Sequence, residues 1–461
     1  MDIKSIPAYE LKMLIQAAKP TLFSATARPE LIVSLIFANL MSERLWALAG
    51  RISKSGKGSF AHGDIAERML AIHKFVNGRF YHARPLEFGR IWGLHERENI
   101  TDPDDLEAND YAMTILSQGF EHRMGAVAWA PMLLEFLEMG LFPEYVYPTV
   151  DIILEHGSIL GHLPNNPLGM TSCADECILI ASLALVLRCC SLDDIVFLGS
   201  PFHYSLFLFP KGSEGFWFNA KRELFDARSW ASLHGAGSTE DVHRAFEDRM
   251  LIFDRVITPR GYCIFPKRET TFPPEEIGCL VERMNRFLGM QLVAEDVILE
   301  LAGAHADRFL PSFEGCESGE EFAGRMQDLV ETKGDIIAMA SFYTARRLDV
   351  SEPGIYVAAA LTGYKTLLRS AEVLSTGDAV SMVREVPGTR SVFGSSNRIA
   401  LPDEVFLFNT ADDNERALAL YSLLMLSPSF GVSEKADLAL DQGHDGWTVR
   451  FLDSEWSGRD L

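Results

Sequence analysis

The run from Cys177 to Leu187, CILIASLALVL, limits what this chain can fold into more than any other stretch. Its one polar side chain is Ser182, so in water it would expose a continuous apolar surface. It is about half as long as a membrane span, which needs roughly 20 apolar residues. The rest of the protein must therefore cover it, and a helix apolar on every side is a buried helix.

The residues just before the run read as a helix start. Thr171 or Ser172 is placed to act as N-cap, with Asp175 and Glu176 in the first turn, where carboxylates suit the positive end of the macrodipole. Cys173 then sits at the helix N-terminus, where unpaired N–H groups and the dipole favour thiolate over thiol. The rival nucleophile is Cys177, one turn further in beside Ile178 and Leu179, where a free thiol normally serves as a small packing residue.

Beyond the helix an alternating stretch, HYSLFLF, begins at His203. A turn signal at residues 210–215, PKGSEG, and a second aromatic stretch, Phe216-Trp217-Phe218-Asn219, predict a hairpin. Pairing across that turn brings His203 and Asn219 opposite one another to within about one residue of register. A Cys on a helix, a His on a strand and an Asn on the next strand form a candidate triad. Asp226 is the second candidate for the third member and is expected past the strand, while Trp217 covers the core or walls the cleft.

Taken together, these residues resemble the core of the transglutaminase-like cysteine enzymes, a superfamily of papain-like fold. The likeness rests on Gly169 shortly before Cys173, small and leucine-type residues along the helix, and Arg188 near its end. It continues with His203 on one strand and Asn219 on the next, with Trp217 just before it. Arg188 lies further from the Cys than in that pattern, the link to His203 is short, and Asn219 stands where Asp is common.

The resemblance implies an α+β fold in which Cys173 is the nucleophile, His203 the base and Asn219 the residue that orients the imidazole. It also implies a peptide or protein amide as substrate and a thioester acyl-enzyme. Water would resolve that intermediate in a peptidase or amidase, and an amine would do so in transamidation. The N–H groups at the helix start would stabilise the oxyanion, and Asn165 or Asn166 of the LPNNP loop is placed to add a side-chain donor. Asn-Asn-Pro is more often only a turn. The alternative is a non-catalytic binding or scaffolding protein of the same fold.

No cofactor and no metal are expected. Cys173 and Cys177 share a helix face, but Cys189 and Cys190 lie at the far end of the helix and complete no zinc pattern. The formal charge of −22, from 42 basic and 64 acidic residues, leaves no surplus of cations to neutralise phosphates. Nucleic acid and anionic membranes are therefore not expected partners. The first residues, MDIKSIPAYELKM, lack the basic start and apolar core of a signal peptide, and seven cysteines without framework spacing fit a reducing compartment. The expected location is cytoplasmic, and no sequence feature speaks to oligomeric state.

The predicted organisation has four parts. Residues 1–142 form a helical region with helical patterns at 31–52, 64–80 and 124–139, over which His73, His82, His95 and His122 are scattered as ordinary helix histidines. Residues 53–60, SKSGKGSF, lack the Gly-Lys-Ser/Thr ending of a phosphate loop and read as a turn. Residues 143–235 form the transglutaminase-like core, and 236–350 a mainly helical connector with helical patterns at 240–251, 275–288, 294–309, 320–332 and 335–347. Within the connector, the proline- and aromatic-rich residues 255–276 read as a loop or irregular strand pair.

Residues 351–461 read as a degenerate second copy of the core. Residues 171–188 lie without a gap on residues 410–427, setting Thr171 on Thr410, Glu176 on Glu415 and Leu179 on Leu418. Asp412 takes the place of Cys173, so the second copy has no thiol. His444 beside Asp445 is not evidence of a second active site.

Overall fold

The computed structural model describes residues 28–55, 64–82, 150–155, 166–171, 173–200, 203–219, 223–226, 255–258, 261–264, 269–270, 315–333, 336–350, 353–362, 368, 373–391, 397–443 and 446–461. The chain divides into two compact units, one drawn from residues 22–82 and 148–341, the other including residues 342–461. Helices and strands are mixed, and the fold class is α+β.

The first unit opens with α1 (Arg28–Leu40), α2 (Glu43–Ser55), α3 (Ile65–Arg79) and the short strand β1 (Phe80–His82). Next come α4 (Val150–Glu155), β2 (Gly169–Thr171) and α5 (Cys173–Val186). Seven strands follow: β3 (Ile195–Ser200), β4 (His203–Leu208), β5 (Phe216–Asn219), β6 (Glu223–Asp226), β7 (Arg255–Thr258), β8 (Gly261–Ile264) and β9 (Glu269–Thr270). Helix α6 (Gly319–Lys333) closes the unit, and α7 (Ile336–Ala345) runs across the division.

Helix α5 is the centre of this unit. Every residue from Cys173 to Leu185 is buried, and α1, α2, α3 and β4 all pack on it. Burying each Leu or Ile side chain contributes about 1.5–3 kcal/mol, so the apolar run alone is a large driving force for assembly. Its single polar member is satisfied. The Ser182 hydroxyl donates to the Ile178 carbonyl at 2.7 Å and accepts from Asn39 Nδ2 at 3.2 Å, while Asn39 Oδ1 accepts from the Val150 amide at 2.6 Å. One buried asparagine thus joins α1, α4 and α5.

The helical pattern over residues 31–52 is broken in the structure. α1 and α2 meet at a bend of 75°. Side chains take up the groups freed there: Trp46 Nε1 donates to the Leu40 carbonyl at 2.9 Å, and Ser42 Oγ donates to Asp151 at 2.6 Å. Among the described residues, no single helix is long and apolar enough to cross a membrane.

Strands β3 to β9 form one antiparallel seven-stranded sheet in the order β6-β5-β4-β3-β7-β8-β9. The hairpin at residues 210–215 forms as the sequence predicts, between β4 and β5. Gly212 and Gly215 take φ of +83° and +113° there, which a side chain would strain. Residues 255–276 give more order than expected, since β7, β8 and β9 continue the sheet beyond β3. The helical patterns at 124–139, 240–251, 275–288 and 294–309, the end of the 53–60 turn, and His95, His122, Asn165, His444 and Asp445 lie outside the described residues.

The second unit contains α8 (Gly354–Thr362), α9 (Thr376–Arg384), α10 (Pro402–Phe408), α11 (Asp413–Leu426) and α12 (Val432–Lys435). The meander β10 (Ala439–Gly443), β11 (Gly446–Phe451) and β12 (Ser454–Ser457) follows. Helix α11 packs on β11 and is itself largely buried. Arg416 anchors it, donating to the carbonyls of Val383, Val386, Gly388 and Leu461 over 2.7–3.2 Å. A second buried cation, Arg346, pairs with Glu404 at 2.7 Å with both side chains fully enclosed.

Helix α11 begins with a capping box, in which Asp412 accepts from the Glu415 amide and Glu415 from the Asp412 amide. Glu415 also accepts from Ser391 Oγ at 2.6 Å and the Ala400 amide at 2.8 Å. Burial, and then the Asp412 charge, outweigh these donors and push the Glu415 carboxyl up to about 8. The native state therefore holds a proton that the unfolded chain, with a glutamate near about 4.3, releases. Between those two values this group makes stability fall as pH rises. Urea unfolding from pH 5 to pH 8 should show that decline in the wild type and a flatter profile in Glu415→Gln.

Candidate active site at the head of the central helix

Strand β2 delivers the chain to the start of α5. It pairs in parallel with β1, setting Tyr81 beside Met170 and His82 beside Thr171. Gly169 is required there, because a Cβ on it would lie 2.2 Å from the Ile153 carbonyl oxygen of α4. The helix then starts at Cys173, which is 7% exposed and in no disulfide. The first-turn N–H groups of an α-helix have no partner within the helix itself.

Thr171 is a strand residue whose hydroxyl donates to Glu176 Oε1 at 3.1 Å. Glu176 Oε2 in turn lies 3.3 Å from His82 Nδ1, and both side chains are largely buried. Cys173, Glu176 and Cys177 stand at i, i+3 and i+4 and so share one face of α5. Thr171, Glu176 and His82 therefore form a polar cluster on the face that carries the thiol.

His82 is the residue that sequence reasoning missed. It looked like one of several helix histidines, whereas it ends β1 and meets a residue far away in sequence. The one available signal was the aromatic Phe80-Tyr81-His82 stretch that follows the α3 pattern, and it is weak. Asp175, 1% exposed, is a second acidic group buried in the same turn. Burial, then Glu176 and Asp175, push the Cys177 thiol well above its ordinary value. Cys177 is accordingly a neutral packing residue, leaving Cys173 as the thiol of interest.

Helix α5 packs on β4, whose first residue is His203, and β5, ending at Asn219, is the adjacent strand. The register pairs Leu206 with Phe218 and Phe207 with Trp217, which on continuation sets Asn219 beside Ser205. His203 is then two positions from direct opposition, where one had been expected. In the register the two are thus a diagonal pair of positions and not a direct one. Asp226 lies past β5, at the end of the next strand, β6, where it pairs with Phe216.

Trp217 is fully buried and stacks on Phe207 at 5.6 Å, which makes it a core residue. On the neighbouring position, the Phe218 ring lies 5.9 Å from the ring of His73 on α3. His73 is bridged to Asn77 at 2.8 Å along its own helix. Asn166 is exposed with φ of +42° next to Pro167, the conformation of a turn residue. Among the described residues no group of three His, Cys, Asp or Glu side chains is arranged to hold a metal ion.

No family model, no curated protein and no solved structure matches this chain.

Removing the imidazole would take one of its neighbours from the buried Glu176 carboxylate, which keeps the Thr171 hydroxyl. His82→Phe should lower unfolding free energy by about 1–3 kcal/mol, the usual cost of an unsatisfied buried polar group. His82→Gln, which offers Glu176 an amide N–H in place of the imidazole, should recover much of that loss in urea unfolding.

Proposed function

We propose that this protein is a thiol-dependent hydrolase of peptide or protein amides, of transglutaminase-like type, with Cys173 as its nucleophile. The observation that carries the reading is a thiol at the head of the enclosed helix α5, packed on the strand that begins with His203. In this reading His203 accepts the thiol proton, Asn219 on the neighbouring strand orients the imidazole, and the thiolate attacks the amide carbonyl. The N–H groups of the first turn stabilise the oxyanion, His203 protonates the leaving amine, and water attacks the resulting thioester. Asn166 is a weaker contributor to the oxyanion site, and an amine in place of water would give transamidation. The free thiols among the described residues support a reducing, cytoplasmic setting.

The second reading is a non-catalytic binding or scaffolding module of the same fold. Its supporting observation is the direction of Phe218, which turns to α3. Asn219 directly follows Phe218 on β5, and His203 is a diagonal rather than a direct register partner of it. Internal duplication favours this reading as well. Thr171 is in a parallel pair with His82 just before α5, and Thr410 is in a parallel bridge with Gly388 just before α11. Both helices bury a glutamate at the corresponding position, Glu176 and Glu415, and both pack on an antiparallel sheet. In the second unit Asp412 caps the helix where Cys173 heads the first, so that copy keeps the architecture without the thiol.

A screen of fluorogenic peptide amides and esters separates the readings. Cys173→Ala should abolish turnover, and His203→Ala should reduce it at least a hundredfold, the usual scale of general acid–base catalysis. Cys177→Ala should retain activity. If His82→Gln removes turnover while His203→Ala does not, the base is His82, oriented by Glu176. Turnover unaffected by Cys173→Ala, or absent with every substrate, would favour the binding module.

A further inference from the structure

The opposite end of α5 carries a cavity independent of the thiol site. Its volume is about 400 Å³, within the roughly 300–1,000 Å³ of small-molecule sites. Leu40, Trp46, Leu185 and Val186 give it apolar walls, and Arg188 lies at its rim. We propose that this cavity binds a small organic monoanion with an apolar body, such as a medium-chain or aryl carboxylate, with its charged end on Arg188.

The backbone at Arg188 gives one argument. α5 ends in a Schellman motif, with the Arg188 amide bonded to the Leu185 carbonyl at 2.9 Å and the Cys189 amide to the Ala184 carbonyl at 2.8 Å. Arg188 takes the left-handed position of that motif, with φ of +54°. Glycine is the usual occupant, and an L side chain there costs backbone strain. A cation at a helix C-terminus offsets part of this cost, but a lysine would do that equally well. What arginine adds is a planar fork that matches a carboxylate.

Charge gives the second argument. Arg188 is exposed, and among the described residues it has no carboxylate partner. Asp194, the acidic group whose charge reaches Cys190 in the cavity wall, is already held by the Ser191 amide at 2.8 Å and the Ser191 hydroxyl at 2.7 Å. The carbonyls of Leu187 and Arg188, the other negative groups at this helix end, face Arg68 at 3.4 Å. Cys190 and Cys316 line the same cavity, and burial pushes both thiols up, so they add no negative charge to the walls. In a chain of formal charge −22, a cation left without a partner beside an apolar hollow selects for an anion with an apolar tail.

The test uses the full-length protein with octanoate as probe and octanol as its neutral counterpart. Calorimetric titration should show saturable, one-to-one octanoate binding, and octanoate should slow N-ethylmaleimide labelling of Cys190. Arg188→Gly suits the left-handed backbone, so it should melt at or above the wild-type temperature while binding octanoate at least tenfold more weakly. Arg188→Lys, which keeps the charge and loses the fork, should fall between the two. Octanol affinity should be the same in all three proteins. Absence of saturable octanoate binding by the wild type would overturn the proposal, as would equal octanoate affinity in the wild type and both variants.

Discussion

The enclosure of α5 is the constraint on which the first unit depends. Thirteen successive positions on that helix are buried, so there is no outward face to relax toward water. Three helices and the sheet must all be present before the helix is covered, which makes the unit cooperative by construction. Within the apolar run Ser182 is the polar member, and it and Asn39 each meet a partner supplied by another element. A buried amide unable to reach those partners would oppose any alternative packing.

The same enclosure gives the two ends of α5 opposite chemistry. At the N-terminus are the first-turn N–H groups, a thiol, and the polar cluster of Thr171, Glu176 and His82. Two buried carboxylates in that turn oppose a negative sulfur, whereas the helix N–H groups favour one. At the C-terminus the exposed carbonyls face Arg68, and Arg188 is turned outward by a left-handed backbone.

Much of this was legible in the sequence where the signal is local. The position of α5, its start at Cys173, and the hairpin joining β4 to β5 follow from an apolar run, a change in periodicity and a glycine-bearing turn. The later helices at residues 319–333 and 336–345 were equally plain from the patterns at 320–332 and 335–347. The misreadings came where distant residues decide. Residues 31–52 carry a continuous helical pattern, and it is Asp151, from a different part of the chain, that bonds Ser42 at the break. Strands β7 to β9 are too short to announce themselves and are held by β3. His82 acquires its role only through a parallel pairing with β2, and parallel pairing leaves no mark near the residue itself. The second unit shows the converse. Its gapless likeness to residues 171–188 was visible, but the pairing of Thr410 with Gly388 was not.

The central claim is that the sulfur at the head of α5 is an activated nucleophile, and the rate of Cys173 alkylation as a function of pH tests it most directly. With substoichiometric iodoacetamide and peptide mapping, the account predicts that Cys173 reacts ahead of the other cysteines. Its profile should have a midpoint below the roughly 8.5 of a free thiol, and it should move up in His203→Ala. A Cys173 rate no faster than that of Cys177, with the same profile in both proteins, would contradict it.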